Sequence, residues 1–152
     1  RQMCIRDSLS TQNSGEWTTI AKVNEANQRG GVAFVVEDKV YAGLGEKSNG
    51  IRNGFYVSSD SLTKWELIPS IPAQLGVISS GVYDEQKKSF FMIDNDGKIW
   101  EYNLTTEQWT SRSLWIRMKN YHMFMLDGSI YILGQDIYQK NKFTVYNPIW
   151  DN

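Results

Sequence analysis

Short apolar runs separated by polar turns fill most of the chain, and no run keeps a helical period for two turns. Runs such as VAFVV (32–36) and SIYIL (129–133) are rich in β-branched and aromatic residues, which pack well in strands. Asp127-Gly128, between two such runs, is a strong hairpin signal because glycine adopts positive φ without steric cost. The pattern predicts an all-β fold.

Tryptophan recurs in phase along the chain, at intervals of 41 to 48 residues: Trp17, Trp65, Trp109 and Trp150. The last three each end a phrase made of an aromatic strand and a short polar turn. A unit of about 40 to 50 residues is the length of one four-stranded β-propeller blade. We therefore expect blades, with these tryptophans packed between neighbouring sheets. A β-sandwich also has many short strands, but its strands need not repeat in phase.

Each unit divides into four strands, so the chain is predicted to hold about three four-stranded antiparallel blades. The apolar runs and the turns between them set the bounds of these strands. The predicted strands are 31–36, 39–43, 54–58 and 64–68 in the first blade, 77–83, 89–93, 98–103 and 108–112 in the second, and 120–126, 129–133, 142–146 and 149 onward in the third.

The predicted blades span about 18–68, 69–112 and 113–152, and 13–17 looks like the tail of a preceding blade. Residues 1–12 share none of the repeated pattern, and we expect them to be a disordered or artefactual N-terminal tail. Three blades leave apolar faces and sheet edges uncovered, whereas propellers usually close with four to eight blades. The sequence therefore predicts a partial β-propeller that belongs to a larger six- or seven-bladed protein or is closed by further copies.

The charge of the chain is nearly balanced, with 16 basic and 17 acidic side chains and a formal net charge of −1. No run of like charges marks a surface for nucleic acid or an anionic membrane. No apolar run approaches the roughly 18 residues that a membrane span needs. We therefore predict neither a nucleic-acid partner nor a membrane span. Cys4 alone fits a reducing or an oxidising compartment, so cysteine usage leaves the localisation open.

The rarity of histidine and cysteine limits the chemistry of the chain. His122 and Cys4 are the only residues of their types, so a metal centre of several His or Cys ligands cannot be assembled. His122 opens an apolar strand and is predicted to be packed and hydrogen-bonded. Carboxylates at Asp94, Asp96 and Asp136 have the chemistry for glycoside hydrolysis, but IDNDG is more simply a turn between strands. The sequence predicts no catalytic residue, cofactor or metal site and favours a protein that is not an enzyme.

One pattern covers residues 29–65 and has five parts: Arg29-Gly30, Tyr41, Gly43-Leu44-Gly45, Tyr56 and Trp65. It resembles the kelch repeat, and GVAFVVEDKVYAGLG is similar to kelch-type surface proteins of Bacteroidetes-like bacteria. The second unit lacks the Tyr-Gly-Gly of that repeat, and the third keeps only Tyr131 and Gly134. The resemblance implies a bacterial kelch-like propeller, in the periplasm or outside the cell.

A second resemblance falls on SSDSLTKW (58–65), which is similar to the Asp box of sialidase-like propellers. Ser58, Asp60 and Trp65 fit that motif, whereas Leu62 and Lys64 depart from it. In the motif the aspartate bonds backbone amides in the turn between two strands. The resemblance therefore implies a structural turn of Asx type rather than a binding site.

Six residues with ligand-binding chemistry fall in or beside predicted loops: Arg29, Glu46, Arg52, Gln135, Asp136 and Tyr138. Guanidinium groups suit carboxylates, and loop aromatics stack on sugars or anchor peptides. The kelch resemblance places Arg29 on the face where kelch ligands dock. The sequence thus predicts a non-catalytic module that binds a protein or a glycan. The alternative is part of a carbohydrate-active propeller enzyme, a sialidase-like hydrolase or a kelch-type sialate mutarotase, whose key residues lie outside this chain.

Overall fold

The computed structural model describes residues 8–10, 17–19, 28–47, 54–59, 62–69, 71–115 and 118–147, with the backbone alone for 8–10, 17–19, 28–29 and 113–115. This part of the chain forms β-strands and no helix. Consequently none of it provides a helix that could cross a membrane. The chain divides into two compact units, residues 1–69 and 70–152.

The first unit is built around one antiparallel sheet, the first sheet, with strand order β4-β5-β7-β8. Two shorter antiparallel pairs, β1 with β2 and β3 with β6, accompany it. The strands are β1 (Ser8–Ser10), β2 (Trp17–Thr19), β3 (Gln28–Arg29), β4 (Val32–Val36), β5 (Lys39–Gly43), β6 (Glu46–Lys47), β7 (Phe55–Ser58) and β8 (Trp65–Leu67).

Glycines allow backbone segments to approach closely at one end of the first sheet. Gly43 has φ 139°, and a Cβ added there would collide with the Gly54 carbonyl oxygen. Gly31 has φ 96°, and its Cβ would lie 2.5 Å from the Gly43 carbonyl oxygen. Only glycine fits such positions without moving the backbone. The first glycine of the Gly43-Leu44-Gly45 pattern is therefore required by the contact between β5 and the start of β7.

The second unit contains two antiparallel sheets in which consecutive strands pair. The second sheet has the order β12-β11-β10-β9, and the third sheet has the order β13-β14-β15. The strands are β9 (Ile78–Asp84), β10 (Ser89–Asp94), β11 (Lys98–Asn103), β12 (Gln108–Trp115), β13 (Lys119–Leu126), β14 (Ser129–Gln135) and β15 (Asn141–Tyr146).

The second and third sheets pack face to face around a shared apolar core. The two first strands, β9 and β13, lie side by side, and the Met123 amide donates to the Ser80 hydroxyl over 2.9 Å. Burial of this many apolar side chains is the main term that holds the sheets together. The core consists of Phe91, Ile93, Ile99, Met118, Tyr121, Met123, Ile130, Ile132 and Tyr146.

Strand β10 is buried at every position, so both faces of the second sheet are covered there. Phe91 and Ile93 point toward the third sheet, while Phe90 and Met92 point to the opposite face. On that opposite face an aromatic row crosses all four strands at paired positions. Its neighbouring ring centroids are 5.2, 6.4 and 4.8 Å apart, in the order Tyr83, Phe90, Tyr102 and Trp109.

A buried ion pair lies on the face of the second sheet that carries Phe91. The Arg112 guanidinium donates through Nε (3.0 Å) and through Nη2 to the Glu101 carboxylate, and both side chains are largely buried. Charges removed from water require a partner, so each of these groups depends on the other. The sequence analysis did not identify this pair, because its members are 11 residues apart on neighbouring strands.

The predicted fold class is confirmed: the described chain is an all-β partial propeller of three blade-like antiparallel sheets with three or four strands each. The predicted strand bounds agree with the observed ones to within a few residues. The fourth strand predicted from residue 149 lies outside the described residues. Within the predicted N-terminal tail, Ser8–Ser10 form β1 and pair with Trp17–Thr19. Both segments are short and carry the Thr, Trp and Leu residues that strands accept.

Two of the in-phase tryptophans occupy equivalent places in their sheets. Trp65 is the first residue of β8 and Trp109 is the second residue of β12, and both are half-buried. Trp109 packs on Tyr102 of its own sheet, on the face opposite the third sheet, and its predicted packing between neighbouring sheets stays a prediction. Of the two indoles of this sheet whose side chains the structure describes, Trp100 is the buried one. The side chains of Trp17 and Trp150 lie outside the described residues.

Candidate functional site

The described candidate residues lie at, or just beyond, the same end of the main sheet beside them. We call this the loop end: the end at which the second strand of a sheet finishes and the chain turns toward the third. In the first unit, Arg29 in β3 and Glu46 in β6 are Cα partners. They lie just beyond the open end of the β4–β5 hairpin, where β4 begins and β5 ends. Glu46 is half-buried. Arg52 lies outside the described residues.

The other three candidates, Gln135, Asp136 and Tyr138, lie together at the loop end of the third sheet. Gln135 ends β14, and its side-chain oxygen accepts a 3.1 Å hydrogen bond from the Asn120 amide group. Asp136 and Tyr138 belong to the loop that follows, which joins β14 to β15. The structure thus brings this sequence-predicted group together in one place.

Asp136 organises the β14–β15 loop. Its Oδ1 accepts hydrogen bonds from the backbone amides of Tyr138 (2.9 Å) and Lys140 (3.0 Å). The backbone closes the same turn, since the Asp136 amide donates to the Lys140 carbonyl over 2.9 Å. The other carboxylate oxygen lies 3.8 Å from the Lys142 ammonium. The carboxylate is therefore used as an Asx-type cap, and its role as a ligand contact stays a prediction.

The capped loop presents two apolar side chains to solvent. Ile137 is 76% exposed and Tyr138 is 75% exposed, and they are adjacent in sequence. Gln139, which follows, has φ 62°, a left-handed conformation that closes the turn behind them. We call Ile137 and Tyr138 the loop tip. A fixed turn with an exposed aromatic residue has the properties of a binding anchor, because little conformational entropy is lost on contact.

The loop end of the second sheet is organised by Asp94, which is buried. Its Oδ1 accepts from the amides of Asp96 (3.0 Å) and Lys98 (2.9 Å), and its Oδ2 accepts from the Trp100 indole over 3.0 Å. This carboxylate is therefore occupied by the turn. Asp96 is exposed and lies on the same turn. The structure thus assigns the IDNDG segment to turn formation.

The chain that enters β9 packs against this turn. A Cβ added to Gly76 would lie 3.2 Å from the Asp94 Cβ, so the backbone passes directly over that side chain. The Asn95 amide donates to the Val77 carbonyl over 2.9 Å, and the Ser79 hydroxyl donates to the Asn95 side chain. These contacts fix the position of the turn at the loop end.

Tyr121 lies beneath the loop end of the second unit, in the core between the two sheets. Burial raises the pKa of its hydroxyl, and the negative charges of Asp94 and Asp96 act in the same direction. Its hydroxyl oxygen accepts a 3.2 Å hydrogen bond from the Met118 amide, which opposes that rise in pKa. The group is therefore a structural contact that stays protonated at neutral pH.

In the described part of the Asp-box-like turn between β7 and β8, a serine hydroxyl caps backbone amides. The Ser59 hydroxyl accepts from the amides of Thr63 and Lys64, both over 3.2 Å. Leu62 has φ 54°, at the place where the motif has glycine. The Ser58 hydroxyl accepts from the Val40 amide over 2.8 Å and joins β7 to β5. Asp60 lies outside the described residues, so its predicted capping role stays a prediction.

The prediction that the His122 side chain is packed in the fold is wrong. His122 lies on β13 opposite Leu133 and its side chain is exposed, because it points away from the core face that Met123 occupies. Among the residues that the structure describes, no group of three or more His, Cys, Asp or Glu side chains is placed to hold a metal ion.

These sheets define the class of the fold as a partial β-propeller. No protein-family model matches the sequence, and no curated protein matches it significantly. Solved structures do match. One is a structural genomics protein of unknown function from Bacteroides thetaiotaomicron VPI-5482, with TM-score 0.55 and 16% identity over 84% of this chain and 35% of that chain. Another is YjhT, with TM-score 0.55 and 17% identity over 79% of this chain and 38% of that chain.

This chain therefore spans little more than a third of the length of either structure. At such identities the likeness shows the fold alone. It does not carry over an activity, a substrate or a partner, since one fold hosts many functions.

Proposed function

We propose that this chain is a segment of a kelch-like propeller and works as a non-catalytic binding module, with the loop tip as its anchor. The observation that carries this proposal is the pair of adjacent exposed residues, Ile137 and Tyr138, on a loop that Asp136 holds in place. Aromatic residues on a rigid support are enriched among the residues that dominate binding energy. The kelch pattern at residues 29–65 supports the assignment of the repeat.

A protein partner fits the loop tip better than a glycan does. A sugar site needs polar groups that converge beside the aromatic ring. Here Gln135 is already bonded to Asn120, and Asp136 is already bonded to two backbone amides. What remains at the tip is an aliphatic side chain beside a phenol, which suits an apolar pocket or groove on a protein surface.

Binding of the labelled chain to two defined arrays, one of peptides and one of oligosaccharides, tests this proposal. We expect peptide signals that fall at least tenfold in Tyr138→Ala and several-fold in Ile137→Ala. Glu85→Ala, an exposed substitution in the β9–β10 turn at the opposite end of the second sheet, is the matched control and keeps the signals.

Two outcomes would count against this account. Oligosaccharide signals that depend on Tyr138, without peptide signals, would reassign the partner to a glycan. Signals that survive both tip substitutions, or no signal above background from the wild-type chain, would remove the loop tip as the anchor.

A further inference from the structure

The outer face of the third sheet, which points away from the second sheet, is apolar and exposed. Phe124 is 44% exposed and Phe143 is 56% exposed, and Val145 beside them is also exposed. Tyr131 lies between the two phenylalanines, with ring centroids 5.3 Å from Phe124 and 5.4 Å from Phe143. An ordered apolar cluster of this kind on a surface marks a contact site.

The first sheet carries the same residue types at the same register. There, Phe34 pairs with Tyr41, and Tyr41 pairs with Val57. Phe55 lies two residues before Val57 on the same strand. In the third sheet, Phe124 pairs with Tyr131, Tyr131 pairs with Val145, and Phe143 stands two positions along. In both sheets a two-residue turn joins the first two strands. The correspondence is therefore Phe to Phe, Tyr to Tyr, Phe to Phe and Val to Val.

The two sets differ in burial. Phe34 and Phe55 are buried, with Phe55 fully so, whereas their counterparts Phe124 and Phe143 are about half exposed. In the second sheet, Phe91 is the third residue of β10 and lies on the face that the third sheet covers. Tyr41 and Tyr131 are likewise the third residues of β5 and β14, so their faces correspond to it. The same face is thus covered in two of the three sheets. The third sheet presents that face to solvent.

The packing of the third sheet on the second shows which kind of surface covers such an aromatic face. The third sheet covers its neighbour with Met123, Ile130 and Ile132. The corresponding positions of the first sheet are Ala33, Val40 and Ala42, on the face that also carries Val35 and Leu67. Of these, Val35 is 71% exposed, and Ala33 and Leu67 are exposed as well, whereas Ala42 is buried. This chain therefore displays the exposed outer face of the third sheet and an exposed part of the Val35 face of the first sheet.

We propose that the outer face of the third sheet binds the Val35 face of the first sheet in a second copy of this chain. The contact repeats, between copies, the packing already present between the second and third sheets. It joins two different surfaces, so the association is heterologous, or head to tail. Phe124 and Phe143 supply the aromatic side, and Val35 and Leu67 supply the aliphatic side. The inference is independent of the loop tip.

Sedimentation velocity over a wide range of concentration tests this proposal. We expect the wild-type chain to associate as its concentration rises. Phe143→Lys and Val35→Lys should each abolish this association, and Glu85→Lys should leave it unchanged. Phe143 and Val35 are both exposed, so the circular dichroism spectrum of each lysine variant should match that of the wild type.

An equimolar mixture of Phe143→Lys and Val35→Lys gives the sharper result. Each variant retains the surface that the other lacks, so the mixture should form a dimer and nothing larger. If two outer faces paired with each other instead, Val35→Lys would still associate by itself. The mixture would then contain the Val35→Lys dimers and no dimer of the two variants. That result, or a wild-type chain that stays monomeric at every concentration, would overturn the proposal.

Discussion

The first and third sheets present two Phe, one Tyr and one Val at the same register, yet they differ in which of these side chains reach solvent. Phe34 and Phe55 are buried in the first sheet, and Phe124 and Phe143 are exposed in the third. Strand propensity and pairing register are shared, so neither explains the difference. Burial in a sheet of this kind is set by the layer stacked upon it and not by the strand itself.

The second sheet is buried on both of its faces along its second strand, β10. Strand β10 is buried at every position, whereas along β14 the core residues Ile130 and Ile132 alternate with the less buried Tyr131 and Leu133. Runs of apolar residues in both strands prepare them for cover on two faces. The comparison indicates that the third sheet is built for a neighbour on its outer face.

The largest expected effect comes from truncating matched phenylalanines. Phe55→Ala should lower the free energy of unfolding by about 3 to 5 kcal/mol, because it leaves a cavity in a closed core. Phe143→Ala, at the equivalent register position, should cost about 1 kcal/mol or less in dilute solution. Urea unfolding followed by tryptophan fluorescence measures both values. Equal losses would break the comparison between the sheets.

The second effect compares the turns at two loop ends. Asp94→Ala should cost about 3 kcal/mol, because it leaves two amides and the Trp100 indole without their buried acceptor. Asp136→Ala should cost about 1 kcal/mol, since its turn is open to water. The same unfolding experiment measures both changes. If Asp136→Ala proved the more damaging, the loop tip would depend on contacts other than those described.

The smallest effect concerns Tyr121 at high pH. Its folded-state pKa is raised above 10.0, so its contribution is fully present below pH 10 and is lost as the pH rises through the folded-state pKa. Tyr121→Phe should cost about 1 kcal/mol at neutral pH, through loss of the bond from Met118. Above pH 10 its stability should decline less steeply than that of the wild type.

Tyr138→Phe is the matched control for the alkaline experiment, because the Tyr138 side chain is exposed. Its alkaline unfolding curve should follow that of the wild type. If Tyr121→Phe and the wild type lost stability in parallel above pH 10, burial of the Tyr121 hydroxyl would not be the cause.

Much of the fold was predictable because its signals are local. The two-residue turn at Asp127-Gly128, with φ 49° and 71°, was evident from the dipeptide alone. The apolar runs on either side of it fixed β13 and β14 to within a few residues. The place of Trp65 and Trp109 at the start of a fourth strand followed from their phase. Such features depend only on neighbours in sequence.

The features that were missed depend on which face a strand turns toward another sheet. Strand alternation places Trp109 on Tyr102, on the face opposite the third sheet, and the spacing of the tryptophans does not specify that face. Glu101 and Arg112 carry no sequence signal of pairing, because the strand register alone brings them together. At the site, Asp136 was chosen for its charge, and its use as a cap depends on the backbone path of the loop.

Hydroxyl-radical footprinting of the dilute wild-type chain, read by mass spectrometry, tests the central comparison most directly. The account predicts that Phe124 and Phe143 are oxidised several times faster than Phe34 and Phe55, and that this difference shrinks as the chain is concentrated. Equal protection of all four rings in dilute solution, or fast oxidation of all four, would contradict it.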